Sequence, residues 1–82
     1  MIQISLAAAR VNAGLRQSDA AKMLGITDKT LRGYELGHTA IPGHTLRRAA
    51  KIYKIPEEMI RLPIIYDGIY DEDEKNLMMG TV

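Results

Sequence analysis

Apolar residues recur every three or four positions along the first 61 residues, in short segments separated by glycine or proline. This spacing is typical of α-helices that bury one face. The pattern predicts five short amphipathic helices, at residues 5–13, 17–24, 28–36, 45–53 and 56–61. The expected fold class is therefore all-α, a five-helix bundle.

Residues that start and stop helices stand at the ends of these segments. Ser5 and Thr27 are placed to act as N-caps, whose side-chain oxygens accept from free N–H groups of the first turn. Gly14 and Gly25 follow the last apolar positions of two segments, where glycine commonly ends a helix. Pro56 fits the first turn of the fifth helix, where a missing N–H costs nothing. These residues support the predicted boundaries.

One hydrophobic core is expected, because 82 residues make a single domain and 46% of them are apolar. The chain contains no Phe and no Trp, so smaller aliphatic residues must fill that core. The positions predicted to face inward are Leu6, Ala9, Ala13, Ala20, Ala21, Leu24, Leu31, Tyr34, Leu46, Ala49, Ala50 and Tyr53.

The pattern changes after the fifth segment, where "LPIIYDGIY" is rich in β-branched and aromatic residues. Two interpretations stay open. This stretch forms an extended arm or a hairpin that turns at Asp67 and Gly68, or it is irregular chain whose apolar residues pack on the helices. The last residues, 71–82, begin as a charge run and are expected to be disordered. The chain is therefore divided into a domain, 1–61, and a C-terminal extension, 62–82.

The net charge of +1 hides a strong asymmetry. Residues 1–55 contain nine Lys and Arg against three Asp and Glu, whereas residues 56–82 contain two against seven. A basic body with an acidic end suggests a polyanion as partner of the body. Charge alone leaves open that both are ordinary solvated surfaces.

Several function classes are made improbable by what the sequence lacks. Without cysteine there is no disulfide or thiolate metal site, which fits a reducing cytoplasm. No apolar run is long enough to span a membrane, and no secretory signal is recognisable. No catalytic triad spacing and no glycine-rich phosphate loop occur, so an enzyme is not expected. His38 and His44 are expected to be loop residues, and we predict no metal, no cofactor and no small-molecule substrate.

The link between the second and third segments, Gly25-Ile26-Thr27, has the length and glycine of a helix-turn-helix. Such a unit needs a small residue where the two helices cross, and Ala21 is available four positions before the glycine. It also needs apolar residues that anchor the second helix, and Leu31 is correctly placed. This spacing indicates a helix-turn-helix over residues 17–36.

The stretch "LRQSDAAKMLGITDKTLRGYELGHTAIP" resembles the helix-turn-helix domain of the phage Cro and CI repressors, which many bacterial regulators of the XRE type share. The matching positions are Gln17, Ala20, Ala21, Leu24, Gly25, Ile26, Thr27, Leu31, Glu35, Leu36, Gly37 and Pro42. "LRRAAKIYKIPEEMI" matches the fourth and fifth helices, so that the resemblance covers about residues 4–61. It implies the five-helix, lambda-repressor-like fold that the periodicity also predicts.

Two structural roles follow from the resemblance. Arg10 and Glu35 match a largely buried ion pair that joins the first helix to the recognition helix. Gln17 matches a residue that contacts the DNA backbone, where a helix N-terminus offers N–H groups to a phosphate. The alternative for Gln17 is a simple helix start.

The resemblance makes residues 28–36 the recognition helix, with its first turn in the major groove. Lys29 is expected to donate to guanine, and Arg32 to reach a base or a phosphate. Thr27 and Thr30 are expected to contact phosphates or a thymine methyl. Asp28 either accepts from cytosine or, the favoured alternative, stabilises the positive end of the helix.

Three further residues are expected at the DNA. Gly33 occupies a position that often carries a DNA-facing side chain, so either the backbone approaches the duplex closely or its neighbours read the sequence. His38 and Thr39 lie in a loop that follows the sugar–phosphate backbone in the family. Leu36 departs from the family's frequent Asn or Arg, and either a surface exception or a contact with another chain explains it.

The sequence therefore predicts a sequence-specific DNA-binding regulator, a repressor of the phage or prophage type, in the bacterial cytoplasm at the nucleoid. Its expected partner is a palindromic double-stranded DNA operator, bound by a homodimer. The residues expected to pair the subunits are Ile64, Ile65, Tyr66, Ile69 and Tyr70. The alternative function is a protein-interaction module of the same fold that binds a toxin or another regulator rather than DNA.

Overall fold

Four α-helices form most of residues 2–64, the part of the chain that the computed structural model describes. They are α1 (Leu6–Asn12), α2 (Gln17–Leu24), α3 (Asp28–Leu36) and α4 (Gly43–Tyr53). The bounds of α2 and α3 are those predicted from the sequence. α4 begins two residues earlier than predicted, with Pro42 as its N-cap residue.

The predicted all-α class is consistent with the structure, which is mostly helical with four helices and one small strand pair, but the predicted fifth helix does not form within residues 2–64. A single 3-10 turn, Glu57–Met59, is followed by a short strand β2 (Ile60–Arg61), which pairs in parallel with β1 (Ile4–Ser5). A segment of six residues has little helical stability of its own, because the first turn fixes several residues for a single hydrogen bond. The β-branched Ile60 instead extends, is buried, and stands opposite Ile4.

The predicted N-caps are confirmed. The Ala8 backbone N–H donates to Ser5 Oγ over 3.0 Å, and the Thr30 N–H donates to Thr27 Oγ1 over 3.1 Å. Each bond satisfies one of the N–H groups that a helix start leaves without a partner. The limits of α1 and α3 are thus set by local hydrogen bonds.

The core lies between the four helices and the strand pair. Its buried apolar residues are Leu6, Ala9, Ala20, Ala21, Leu24, Leu31, Ala49, Ala50, Tyr53 and Ile60. Leu46 and Tyr34, which were predicted to face inward, are half-buried at its edge. Ala13 is exposed, contrary to prediction, because α1 ends at Asn12.

The start of the C-terminal extension passes over the end of α3. Gly37 is buried at a φ of +83°, and a Cβ on it would lie 2.8 Å from the Ile64 carbonyl oxygen and 3.1 Å from the Pro63 Cβ. A side chain here would therefore displace the extension from α3. The predicted hairpin, together with Ile65, Tyr66, Ile69 and Tyr70, falls outside the described residues.

None of the helices described within residues 2–64 has the length and apolar character required to cross a membrane.

Candidate nucleic-acid interface

A tight turn joins α2 to α3. Gly25 has a left-handed backbone, with φ 74° and ψ 29°, which glycine adopts without steric cost. The Ile26 N–H then donates to the Ala21 carbonyl over 3.0 Å, so that the chain leaves α2 at a fixed angle. Ala21 is buried where the two helices pack. The geometry is that of a helix-turn-helix.

The exposed side of α3 and the loop after it form one groove of about 500 Å³. Its lining residues are Lys29, Thr30, Arg32, Gly33, Tyr34, His38 and Thr39. Six of these seven residues were predicted at the interface from the sequence. Tyr34 was predicted only as a core anchor, and its half-buried position explains how it serves both the core and the groove.

Backbone hydrogen bonds hold the loop against α3. The Gly33 carbonyl accepts from the His38 N–H over 2.9 Å and from the Thr39 N–H over 3.4 Å. A Cβ on Gly33 would lie 3.7 Å from Thr39 Oγ1 and 4.0 Å from the His38 Cβ, which are ordinary contact distances. The glycine is therefore not required for packing between the helix and the loop.

The positively charged side chains of this groove have no acidic partner in the described part of the chain. Lys29 and Arg32 are exposed, and neither forms a salt bridge within residues 2–64. Because exposed cations without a carboxylate remain available to an anion, this surface favours a negatively charged ligand.

The N-terminal turn of α3 is arranged around its cap. The Thr27 hydroxyl donates to Thr30 Oγ1 over 2.9 Å, in addition to accepting from the Thr30 N–H. Asp28 follows in the first turn and is exposed. Its carboxylate is placed where the positive end of the helix favours a negative charge. Neither Thr27 nor Asp28 lines the groove, which begins at Lys29.

Helix α3 is fixed to α1 by a buried ion pair. Arg10 Nε donates to Glu35 Oε2 over 2.8 Å, and Arg10 Nη2 donates to Glu35 Oε1 over 3.4 Å. Only 13% of the Arg10 side chain and 5% of the Glu35 side chain are exposed. Arg10 Nη1 also donates to the Leu15 carbonyl over 2.9 Å, which leaves the guanidinium well satisfied.

Gln17 takes part in the same cluster, a role that the sequence reasoning missed. Its Nε2 donates to Glu35 Oε1 over 2.9 Å, so that α2 is joined to α3 by a side-chain hydrogen bond. The preceding Arg16 is the N-cap residue of α2 and makes no side-chain cap bond. The start of α2 therefore still offers backbone N–H groups, while the Gln17 amide is directed inward to Glu35.

Tyr53 of α4 completes this region. Burial raises the pKa of Tyr53 to about 12, with the Glu35 charge adding to the rise and Arg10 opposing it. Its hydroxyl is buried and makes no hydrogen bond to any of the described residues. A buried hydroxyl without a partner is destabilising by about 1–3 kcal/mol in mutational data.

We expect Tyr53→Phe to raise the free energy of unfolding at pH 7 by about 1 kcal/mol, because it removes an unsatisfied buried hydroxyl and keeps the ring. The hydroxyl's contribution to stability changes only above pH 10. From there to about pH 12 the unfolded chain loses its tyrosine proton first, so the wild type should lose stability relative to the variant. Urea unfolding at pH 7 and pH 11 measures both effects, with Tyr34→Phe as control. A clear loss of stability at pH 7 would contradict this account.

Comparison with known proteins supports what the geometry indicates. The family model described as helix-turn-helix (HTH_3) matches residues 6–60, which include all four helices. Neither the curated proteins nor the solved structures returned a significant match. The chain therefore belongs to the XRE-type helix-turn-helix family, whose members are DNA-binding transcription regulators.

Proposed function

We propose that this protein binds a specific DNA operator by placing α3 in the major groove, and that it acts there as a repressor of the phage or prophage type. The observation that carries the proposal is the groove on α3, where Lys29 and Arg32 are exposed beside a loop that is hydrogen-bonded to the helix. A helix whose exposed side presents Lys29 and Arg32 fits the major groove, which admits one α-helix.

Five of the seven residues that line the groove have a proposed task. Lys29 and Arg32 donate to guanine O6 and N7, the commonest specific contact in protein–DNA complexes. Thr30, His38 and Thr39 also line the groove, and we propose that they contact phosphates. Such contacts fix the position of the protein without reading the sequence.

The two helix starts add to these contacts. The first N–H groups of α2, at Gln17, are proposed to bind a phosphate, which helix N-termini favour. The Gln17 side chain positions α3 through Glu35 rather than acting only at the DNA. Thr27 is proposed to contact the DNA backbone through its hydroxyl group. Asp28 is proposed to stabilise the start of α3, and its negative charge would repel any phosphate that came too close.

We further propose a homodimer on a palindromic operator. One helix-turn-helix makes few base contacts, and two copies spaced one helical turn apart double them. Apolar side chains at the end of α3 and the start of the extension support pairing, since Leu36, Leu62 and Ile64 are 51%, 40% and 72% exposed. The proposed contribution of Ile65, Tyr66, Ile69 and Tyr70 to the same interface concerns residues outside the described part.

Selection of bound duplexes from a random pool tests the function directly. Sequence-specific binding by a dimer should enrich one palindrome whose half-sites are one helical turn apart. The logarithm of the association constant for that duplex should fall linearly with the logarithm of the salt concentration, because binding releases counterions from the phosphates. Enrichment of no sequence over the starting pool would refute the proposal.

A protein-interaction module remains the second candidate, and exposed Leu36 is the observation in its favour. A module of this kind would bind a protein partner through the apolar surface, and its affinity for DNA would change little with salt concentration. The selection experiment separates the two functions, since only the DNA-binding protein yields a preferred duplex.

Gly33→Ala should separate folding from DNA binding. Alanine is favoured over glycine by roughly 1 kcal/mol in a helix interior, and the new Cβ meets only ordinary contacts at 3.7 Å and 4.0 Å. We therefore expect a higher melting temperature together with weaker binding to the selected duplex, if the backbone approaches the DNA at Gly33. Thermal melts and binding titrations on one sample check both parts. Unchanged affinity would show that the neighbouring side chains alone recognise the DNA sequence.

A further inference from the structure

A second positively charged surface lies on α4, apart from the groove on α3. His44, Arg47, Arg48, Lys51 and Ile52 line a depression of about 540 Å³, which we call the α4 groove. All of its polar lining residues are exposed. Three of the five are cations at any physiological pH, so the surface is more positive than an ordinary solvated helix face.

The charges of the α4 groove have no partner of opposite sign in the described chain. α4 contains no acidic residue, and the two salt bridges within residues 2–64 involve Arg10 and Arg16 instead. An exposed helix of a soluble domain usually carries charges of both signs. Within residues 2–64, therefore, no carboxylate competes for the cations of the α4 groove, and they are available to an acidic segment.

The sequence supplies such a partner a short distance further on. Residues 71–74, "DEDE", are four consecutive carboxylates, and residues 65–82 together contain five acids and one base. The charge is complementary to that of the α4 groove. We propose that residues 71–74 of the same chain bind the α4 groove.

The point at which the described chain ends makes this contact reachable. Leu62 and Pro63 line a small pocket together with Ile41, which is two residues before the start of α4. Arg47 folds back over that start, with Nη1 3.5 Å from the Cβ position of Gly43. The seven peptide units between Ile64 and residue 71 span up to about 23 Å when extended. This length suffices to bring the acidic run onto the N-terminal half of α4.

The groove on α3, called the α3 groove below, is the competing positively charged surface, and the charges favour α4. Asp28 lies at the start of α3 beside Lys29 and would repel an acidic segment. The lining of the α4 groove holds two arginines and a lysine without any acid. Arginine also offers the forked donors that match carboxylates best.

This contact has a consequence for DNA binding, which rests on the proposed function. Non-specific binding to DNA is electrostatic, whereas specific binding adds contacts to bases. An acidic segment held on α4 lowers the attraction of the body for any duplex and leaves the base contacts of α3 unchanged. The segment would therefore weaken binding to operator and to random DNA by a similar factor, because attraction to phosphates is common to both complexes.

A spin-label experiment without DNA tests the contact itself. Because the chain has no cysteine, Asn76→Cys gives one labelling site next to the acidic run while keeping all its charges. At low salt the nitroxide should broaden the amide signals of Arg47, Arg48 and Lys51. The broadening should disappear near 1 M salt, where the Debye length is about 3 Å.

Two variants and one mixture complete the test. The variant D71N/E72Q/D73N/E74Q should lose the broadening on α4, and so should R47Q/R48Q/K51Q. Broadening that centres on Lys29, or none anywhere, would overturn the proposal. A mixture of spin-labelled chains with isotope-labelled chains should show no effect, since an effect would mean that the segment binds another copy.

The DNA readout is separate. With the acidic run neutralised, affinity for the selected operator and for a random duplex at low salt should both rise about tenfold, because attraction to phosphates is common to the two complexes. No rise in either affinity would overturn the effect on DNA binding. If the protein bound no duplex at all, the proposed function would fail, whereas the spin-label result would still decide whether the contact forms.

Discussion

Replacing Lys29 and Arg32 together by alanine should abolish selective binding to the operator while leaving the fold intact. Both side chains are exposed in the α3 groove and form no salt bridge within residues 2–64, so their removal disturbs no packing. A good pair of hydrogen bonds to a base is worth about 1–3 kcal/mol of discrimination. Loss of two such pairs corresponds to an affinity about 30-fold to 20,000-fold lower.

Titration of the selected duplex and of a scrambled duplex measures this loss. The matched control is Lys22→Ala with Arg61→Ala, which removes one lysine and one arginine from exposed positions outside the α3 groove. The control should lose affinity for both duplexes alike, because it changes only net charge. Equal losses in the two double variants would show that α3 does not read the sequence.

Glu35→Ala should lower the free energy of unfolding by about 3–5 kcal/mol, the usual effect of removing one member of a buried ion pair. The change leaves the Arg10 guanidinium buried beside an empty site and deprives the Gln17 amide of its acceptor. Since small domains are stable by about 5–15 kcal/mol, this is a large share of the total. Urea unfolding at pH 7 gives the value.

The exposed Arg16–Asp19 pair provides the control. Its Nε–Oδ2 distance is 3.1 Å, but the two side chains are 84% and 45% exposed. The hydrogen bond from Arg16 lowers the pKa of Asp19, and both groups stay in contact with solvent. Asp19→Ala should therefore leave the unfolding midpoint nearly unchanged. A similar midpoint for Glu35→Ala would contradict the importance of burial.

Replacing both partners of the buried pair distinguishes two causes of instability: the loss of their attraction, and the cost of leaving one charge buried without its partner. Arg10→Met with Glu35→Leu removes both charges and keeps most of the volume. Such replacements are often neutral or stabilising, because neither charge then has to be desolvated. We expect this double variant to regain most of the stability that Glu35→Ala loses. The DNA affinity of the double variant would then report how far the pair orients α3 rather than merely stabilising it.

Much of the fold could be read from the sequence because the relevant interactions are local. Ser5 and Thr27 cap helices through bonds to residues three positions on, and Gly25 sets the turn by its own backbone. The limits of α2 and α3 follow from such short-range features. The exposed charges of the α3 groove were also predictable, since Lys29 and Arg32 occupy the polar side of an amphipathic helix.

Contacts between distant residues were not predictable in the same way. The segment "PEEMIR" has the composition of a helix start, but its last two residues form a strand because Ile60 pairs with Ile4. Gln17 has a suitable position for DNA, yet its amide bonds Glu35, 18 residues away. Periodicity contains no information on which of several reachable partners a polar side chain will choose.

The sequence by itself determined the four helices, the helix-turn-helix and the cationic side of α3, because each depends on neighbours within about one helical turn. Only the tertiary structure decided that the loop closes on Gly33, that the extension crosses Gly37, and that residues near 60 form a strand. These features depend on the packing of segments that are far apart along the chain. The shared core fixes their geometry, and the packing free energy of that core cannot be inferred from a local sequence pattern.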